Sequence, residues 1–147
     1  MIGIIMGSQS DMEVMEKAKN ILAEKFGIDS EMVVASAHRN PEKVLDFVKK
    51  GEEKFDCIIA GAGKAAHLPG VVAGHTSLPV IGVPMKTSDL GGMDSLLSIV
   101  QMPKGVPVAT VAINGAENAG ILAAQIVGIK DSGVKEKLKQ FKESMKG

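Results

Sequence analysis

Two rhythms of apolar and polar residues alternate along the chain. Short, nearly unbroken apolar runs occur at "IGIIM" (2–6), "MVVA" (32–35), "CIIA" (57–60), "PVIGVP" (79–84) and "PVATVAI" (107–113). Runs of this length without polar alternation predict strands covered by helices on both faces, and therefore five parallel strands. Between them, apolar residues return every three or four positions. Val14, Met15, Ala18, Ile21, Leu22 and Phe26 make one stripe, with Glu13, Glu16, Lys17 and Glu24 opposite. Ser10 and Glu13 have the spacing of a capping box at its start. A second helix is predicted from "NPEK", with Asn40 as cap, Pro41 at the first helical position, Val44, Leu45 and Val48 on one stripe, and an end near Gly51. "NAGILAAQIVG" (118–128) is apolar nearly all round, which predicts burial against the sheet or within an oligomer, and a charged helix-like segment runs from Val134 to Met145. Strand and helix alternating in this way predict an open α/β sheet with right-handed crossovers.

Composition narrows the partners. The 147 residues, 45% hydrophobic, suffice for one domain with its own core, so 1–147 is read as a single unit. Seventeen basic residues balance seventeen acidic ones with no long run of either sign. Nucleic acid and anionic membranes are therefore not expected as partners. The lone cysteine, Cys57, lies in an apolar run and has no partner for an internal disulfide, which fits a reducing compartment. No leader-like segment and no run of eighteen apolar residues is present, and the expectation is a soluble cytoplasmic protein.

In open α/β sheets, ligands bind beyond the carboxyl ends of the strands, and three loops at that end carry chemistry. "GSQSD" (7–11) offers the hydroxyls of Ser8 and Ser10 and backbone amides at a helix start, a seat for phosphate. The lysine and spacing of a Walker loop are missing, so ATP hydrolysis has no support. Asp11 would repel a phosphate and suits sugar hydroxyls. "SAHRN" (36–40) sets His38, a side chain of the acid/base class, beside Arg39, a planar fork for phosphate or carboxylate, with the Ser36 hydroxyl alongside. "GAGKAAHLPG" (61–70) is rich in small residues that let backbone approach a ligand and can act as a lid, with His67 at its far end. No metal site is predicted, because His38 and His67 lack a carboxylate or cysteine at ligand spacing. His75 reads as a helix-end residue, and most of the nine methionines read as core filling.

Taken together, "GSQSD", "SAHRN", "GAGKAAHLPG", "DSLLSIVQMPKGVPVATVAI" and "NAGILAAQI" resemble the PurE family, the N5-carboxyaminoimidazole ribonucleotide mutases of purine biosynthesis, from about residue 2 to residue 129. The resemblance implies a flavodoxin-like three-layer α/β/α sandwich around a central parallel five-stranded sheet, assembled as a homo-octamer with active sites near subunit junctions. It implies an isomerase that moves a carboxylate from an exocyclic nitrogen to a ring carbon of an aminoimidazole ribonucleotide without cofactor, ATP or metal. His38 then matches the catalytic histidine, and Ser8, Ser10 and Arg39 the residues that hold the phosphate and carboxylate end. Asp11 matches the sugar-binding aspartate, and the 61–70 loop with His67 matches the lid. The substrate-contacting set is accordingly Ser8, Ser10, Asp11, Ser36, Ala37, Arg39, Gly63, Lys64, His67 and Leu68. Two positions depart from the family pattern: Lys64 replaces a usual glycine, and Asn40 a usual threonine. A positive φ at Lys64 would strain it, and a contact from its ammonium to the substrate carboxylate is the alternative reading. Two other functions stay open at this point: direct carboxylation of aminoimidazole ribonucleotide by carbon dioxide, and a noncatalytic nucleotide-binding module of the same architecture. The absence of Trp and Tyr argues against flavin, and "GSQSD" lacks the acidic cluster of a response regulator.

Overall fold

A computed structural model describes residues 1–147. Five strands, β1 (Ile2–Met6), β2 (Ser30–Val34), β3 (Cys57–Ala62), β4 (Val80–Pro84) and β5 (Ala109–Thr110), form one sheet in the order β2-β1-β3-β4-β5. Every pairing is parallel, with Ile2 in register with both Ser30 and Cys57, Ile58 with Val80, and Ile81 with Ala109. Helices α1 (Met12–Phe26), α2 (Pro41–Gly51), α3 (Leu68–Ala73), α4 (Met93–Val100), α5 (Ala116–Gly128) and α6 (Ser132–Ser144) cover the two faces. The architecture is the open parallel α/β sheet that the strand and helix rhythm predicts, in the flavodoxin-like α/β/α sandwich that the family resemblance implies.

Alternation along the strands divides the core in two. Ile2, Ile4 and Met6 of β1, with Cys57 and Ile59 of β3 and Ile81 and Val83 of β4, point toward α1, α5 and the start of α6. Ile5, Ile58, Ala60 and Val80 point the other way, against Val44, Phe47 and Val48 of α2, Leu68 and Val72 of α3 and Ile99 of α4. Because central strands are buried on both faces, β1, β3 and β4 are fully buried along their lengths. Cys57 sits in this interior, and burial pushes its thiol pKa up to about 12, so it is inert as a nucleophile.

Local details depart from the sequence reading at several places. Ser10 and Glu13 do not cap α1. A short 3-10 turn (Gln9–Asp11) precedes the helix, Ser8 Oγ accepts the Ser10 backbone N–H at 3.3 Å, and Asp11 stands at the cap position without a side-chain capping bond. Both serines are thereby taken from the helix and given to the loop. On α2, Asn40 Oδ1 does accept from the Lys43 N–H at 3.2 Å, but Phe47 is buried and Leu45 is exposed, so the apolar stripe is Val44, Phe47 and Val48. The edge strand β2 begins two residues earlier than predicted and is only partly buried, since one flank has no neighbour. β5 shrinks to two residues, although the Val111 N–H still reaches the Gly82 carbonyl at 3.1 Å and the Asn114 N–H the Pro84 carbonyl at 2.8 Å before the turn closed by the Gly115 N–H on the Ala112 carbonyl leads into α5. The apolar segment 118–128 belongs to α5, which packs against α1: a Cβ on Gly120 would lie 2.6 Å from Ile21 Cγ2 and 3.0 Å from the Ala18 carbonyl. His75 follows α3, its Nδ1 2.9 Å from the Val71 carbonyl oxygen.

Candidate active site

At the carboxyl ends of the strands, four loops enclose a cavity of about 620 Å³, within the range of small-molecule sites. All eleven side chains or backbone positions singled out from the sequence line it.

The loop after β1 contributes Gly7, Ser8, Ser10 and Asp11. The Ser8 and Ser10 hydroxyls lie 3.0 Å apart and face the cavity as a pair. Burial raises the Asp11 carboxyl pKa, an effect partly opposed by its hydrogen bond with the Ser8 backbone. The loop after β2 contributes Ser36, Ala37, His38 and Arg39. It is a tight turn: Ser36 Oγ accepts the Arg39 backbone N–H at 3.1 Å, and the Ser36 carbonyl accepts the Asn40 N–H at 2.9 Å. The Arg39 guanidinium donates to the Gly7 carbonyl at 3.0 Å, tying the first two loops together and aiming the remaining donors of the fork into the cavity.

The loop after β3 contributes Gly63, Lys64, Ala65 and His67, and runs into Leu68 at the start of α3. Close approach sets its composition. A Cβ on Gly61 would lie 2.5 Å from Met15 Sδ and 2.7 Å from Met85 Cε, so a larger residue would have to push two thioether ends aside where β3 delivers this loop. The loop brings His67 onto His38. Their Nδ1 and Nε2 atoms are 2.6 Å apart, with ring centroids at 4.7 Å and the rings nearly perpendicular at 86°. One ring must donate and the other accept. The bond therefore fixes one bare imidazole nitrogen and one proton at the same spot, the requirement for moving a proton between neighbouring atoms.

Lys64 has φ +56°, a left-handed conformation that costs a non-glycine residue about 1 kcal/mol. Of the two sequence readings, strain is therefore present. Its ammonium pairs with Asp89 Oδ2 at 3.1 Å.

The loop after β4 contributes Met85, Lys86, Thr87 and Ser88, which the sequence reading missed. No histidine, arginine or glycine-rich signature marks "MKTSD", and the signal available was positional, since the stretch follows the fourth apolar run. Thr87 organises it. Its hydroxyl donates to Asp94 Oδ1 at 2.6 Å and accepts the Gly92 N–H at 3.1 Å. The Asp94 carboxyl is held below its usual pKa, first by that hydroxyl, with a smaller contribution from the Lys64 charge. The Lys86 N–H donates to Asn114 Oδ1 at 2.9 Å. No group of three or more His, Cys, Asp or Glu side chains is arranged to hold a metal ion. Arg39, Lys64 and Lys86 against Asp11 make the cavity a site for an anionic ligand, with an imidazole pair at hand for proton transfer.

The family model described as AIR carboxylase matches residues 1–147. The N5-carboxyaminoimidazole ribonucleotide mutase of Thermotoga maritima is 62% identical over 146 residues, covering 99% of this chain and 85% of that protein. That of Pyrococcus horikoshii is 57% identical over 147 residues, covering 99% and 82%. The crystal structure of Treponema denticola PurE superposes with a TM-score of 0.89 at 32% identity, covering 97% of this chain and 89% of that one. Sequence identity along nearly the whole chain and agreement of the fold place this chain in the AIR carboxylase family.

Proposed function

We propose that residues 1–147 act as one catalytic unit, an N5-carboxyaminoimidazole ribonucleotide mutase that isomerises its substrate to 4-carboxy-5-aminoimidazole ribonucleotide in purine biosynthesis. The observation that carries the reading is the His38–His67 hydrogen bond set beside the Arg39 fork and the Ser8–Ser10 hydroxyl pair, in a chain 62% identical to a protein of that name. The phosphate is assigned to Ser8, Ser10 and Arg39, and the sugar hydroxyls to Asp11. Ser36, Ala37, Gly63 and Leu68 wall the heterocycle, which lies against the imidazole pair. The exocyclic N–C bond breaks, the nitrogen takes up a proton, and carbon dioxide is released within the cavity. The enamine-like ring carbon attacks it, a C–C bond forms, and loss of the proton on that carbon restores aromaticity. One proton is gained at nitrogen and one lost at carbon, so a single imidazole, His38, serves both stages with no net consumption of acid or base. The Gly63–His67 loop keeps water out and the gas in.

A second copy of this chain is the expected partner. Leu90, Met93, Leu97 and Val100 form an exposed apolar strip on and before α4, Met93 being 53% and Leu97 49% exposed. Side chains of this size in one strip mark a surface that another protein covers, and we assign it to a homo-octamer. No helix is long and apolar enough to cross a membrane, and with its single buried thiol the enzyme is assigned to the cytoplasm. The test supplies N5-carboxyaminoimidazole ribonucleotide alone, or aminoimidazole ribonucleotide with bicarbonate, to the purified protein. Rapid product only from the first supports the mutase; rapid product only from the second would establish a direct carboxylase instead.

A further inference from the structure

Lys64 is singular in the cavity wall. Its neighbours Gly63 and Ala65 are small, its backbone is left-handed, and its side chain is cationic where close packing asks for nothing. The ammonium lies between the cavity and Asp89, a residue outside the wall. Both partners are largely exposed, at 72% and 73%. An exposed pair of this kind is weak and readily exchanged, and a lysine head turns on a flexible stem with three donors. No other hydrogen bond joins the 63–67 loop to the 86–92 loop, so giving up this pair breaks no second link between them.

The sheet order sets where that charge stands. The loops of β2 and β1, with Arg39, Ser8 and Ser10, occupy one side of the cavity, and the loops of β3 and β4, with Lys64, the other. The His38–His67 pair links the two sides. A ligand with a negative group at each end matches this arrangement, its phosphate at Arg39 and its carboxylate toward Lys64. We propose that Lys64 is a shared cation, paired with Asp89 across the mouth of the cavity and given up to the carboxylate of the bound nucleotide, so that Asp89 is an internal competitor setting affinity for carboxylated ligands. This inference rests on the mutase reading above.

Calorimetry with two stable nucleotides tests it: 4-carboxy-5-aminoimidazole ribonucleotide, which carries phosphate and carboxylate, and aminoimidazole ribonucleotide, which carries phosphate alone. Asp89→Asn should bind the carboxylated nucleotide about two- to fivefold more tightly, and Lys64→Gln and Lys64→Gly about two- to fivefold more weakly, the span expected of an exposed ion pair. Agreement of the two Lys64 variants assigns the effect to charge, because only Gly relieves the backbone. Affinity for aminoimidazole ribonucleotide should stay unchanged throughout, and Asp89→Asn should have no effect once Lys64 is Gln. A weaker or unaltered affinity of Asp89→Asn for the carboxylated nucleotide would overturn the competition, as would its effect persisting in the Lys64→Gln background. Equal shifts for both nucleotides would overturn the carboxylate assignment in favour of phosphate. Failure of the unaltered protein to bind either nucleotide would overturn the mutase reading itself, and this inference with it.

Discussion

The His38–His67 bond holds one proton between two rings, and the chemistry proposed here needs one proton moved between two atoms of the substrate. His38→Asn keeps a hydrogen-bonding side chain without a titrating group. It should retain the native circular dichroism spectrum and lose turnover by a factor of about 10² to 10⁴, the usual worth of a positioned acid/base; a near-normal rate would end the assignment. Arg39 poses a different question, because its fork is already half committed to the Gly7 carbonyl. Arg39→Lys should weaken nucleotide binding about tenfold, since a point charge cannot hold both the carbonyl and an anion in fixed geometry, and equal dissociation constants in calorimetry would contradict it. These residues were readable one by one from the chain: each follows an apolar run, and parallel strands send all such loops to one end. Their contact was not. His38 and His67 lie 29 positions apart, and only the pairing of β1 with both β2 and β3 sets their loops on either side of the β1 loop.

Helices and strands followed the sequence wherever burial decides them and departed from it where local hydrogen bonding does. The periodic stripe of α1 and the Asn40–Pro41 start of α2 stand as read, whereas the capping box at Ser10 gives way to a 3-10 turn nucleated by Ser8. Both patterns offer a serine hydroxyl to a free N–H at the entry to the helix, and spacing alone does not choose between them. One such local device ties α2 to β4. Glu52, just past α2, accepts the Ser77 N–H at 3.0 Å as well as the hydroxyls of Thr76 and Ser77, and these bonds lower its pKa below the ordinary 4.5, the Ser77 hydroxyl contributing most. Bonds to the ionised form stabilise the fold only while that form persists. Their contribution is complete above about pH 4.5 and vanishes as the pH falls through the lower, folded-state value. Glu52→Gln should therefore lower the urea midpoint at pH 7, and the difference from the parent should shrink as the pH falls below about 4.5. A difference that is constant with pH would refute the carboxylate's role.

At the level of the whole molecule, a parallel five-stranded α/β sheet was legible because five buried apolar runs joined by helical crossovers admit few alternatives, the three layers came with the family resemblance, and the strand order β2-β1-β3-β4-β5 is supplied by the structure. The fourth loop of the cavity was not, since it carries no residue whose chemistry announces a role, whereas the exposed strip on α4 lies partly within the "DSLLSIVQMP" stretch that carries the family resemblance. If that strip is an interface between copies, the 15.3 kDa chain should sediment as a large assembly, and Met93→Glu with Leu97→Glu should break it into smaller species with the fold intact. A monomeric parent protein would dismiss the octamer.

The thioethers that crowd Gly61 carry a liability of their own. Met85 is part of the cavity wall and Met15 lies directly beneath it, both fully or almost fully sequestered. Conversion of either sulfur to its sulfoxide would install a polar oxygen in close-packed apolar surroundings. Reactive oxygen would thus injure the enzyme by deforming the floor under its imidazoles, a lesion that thiol reductants could not mend and that a sulfoxide reductase could.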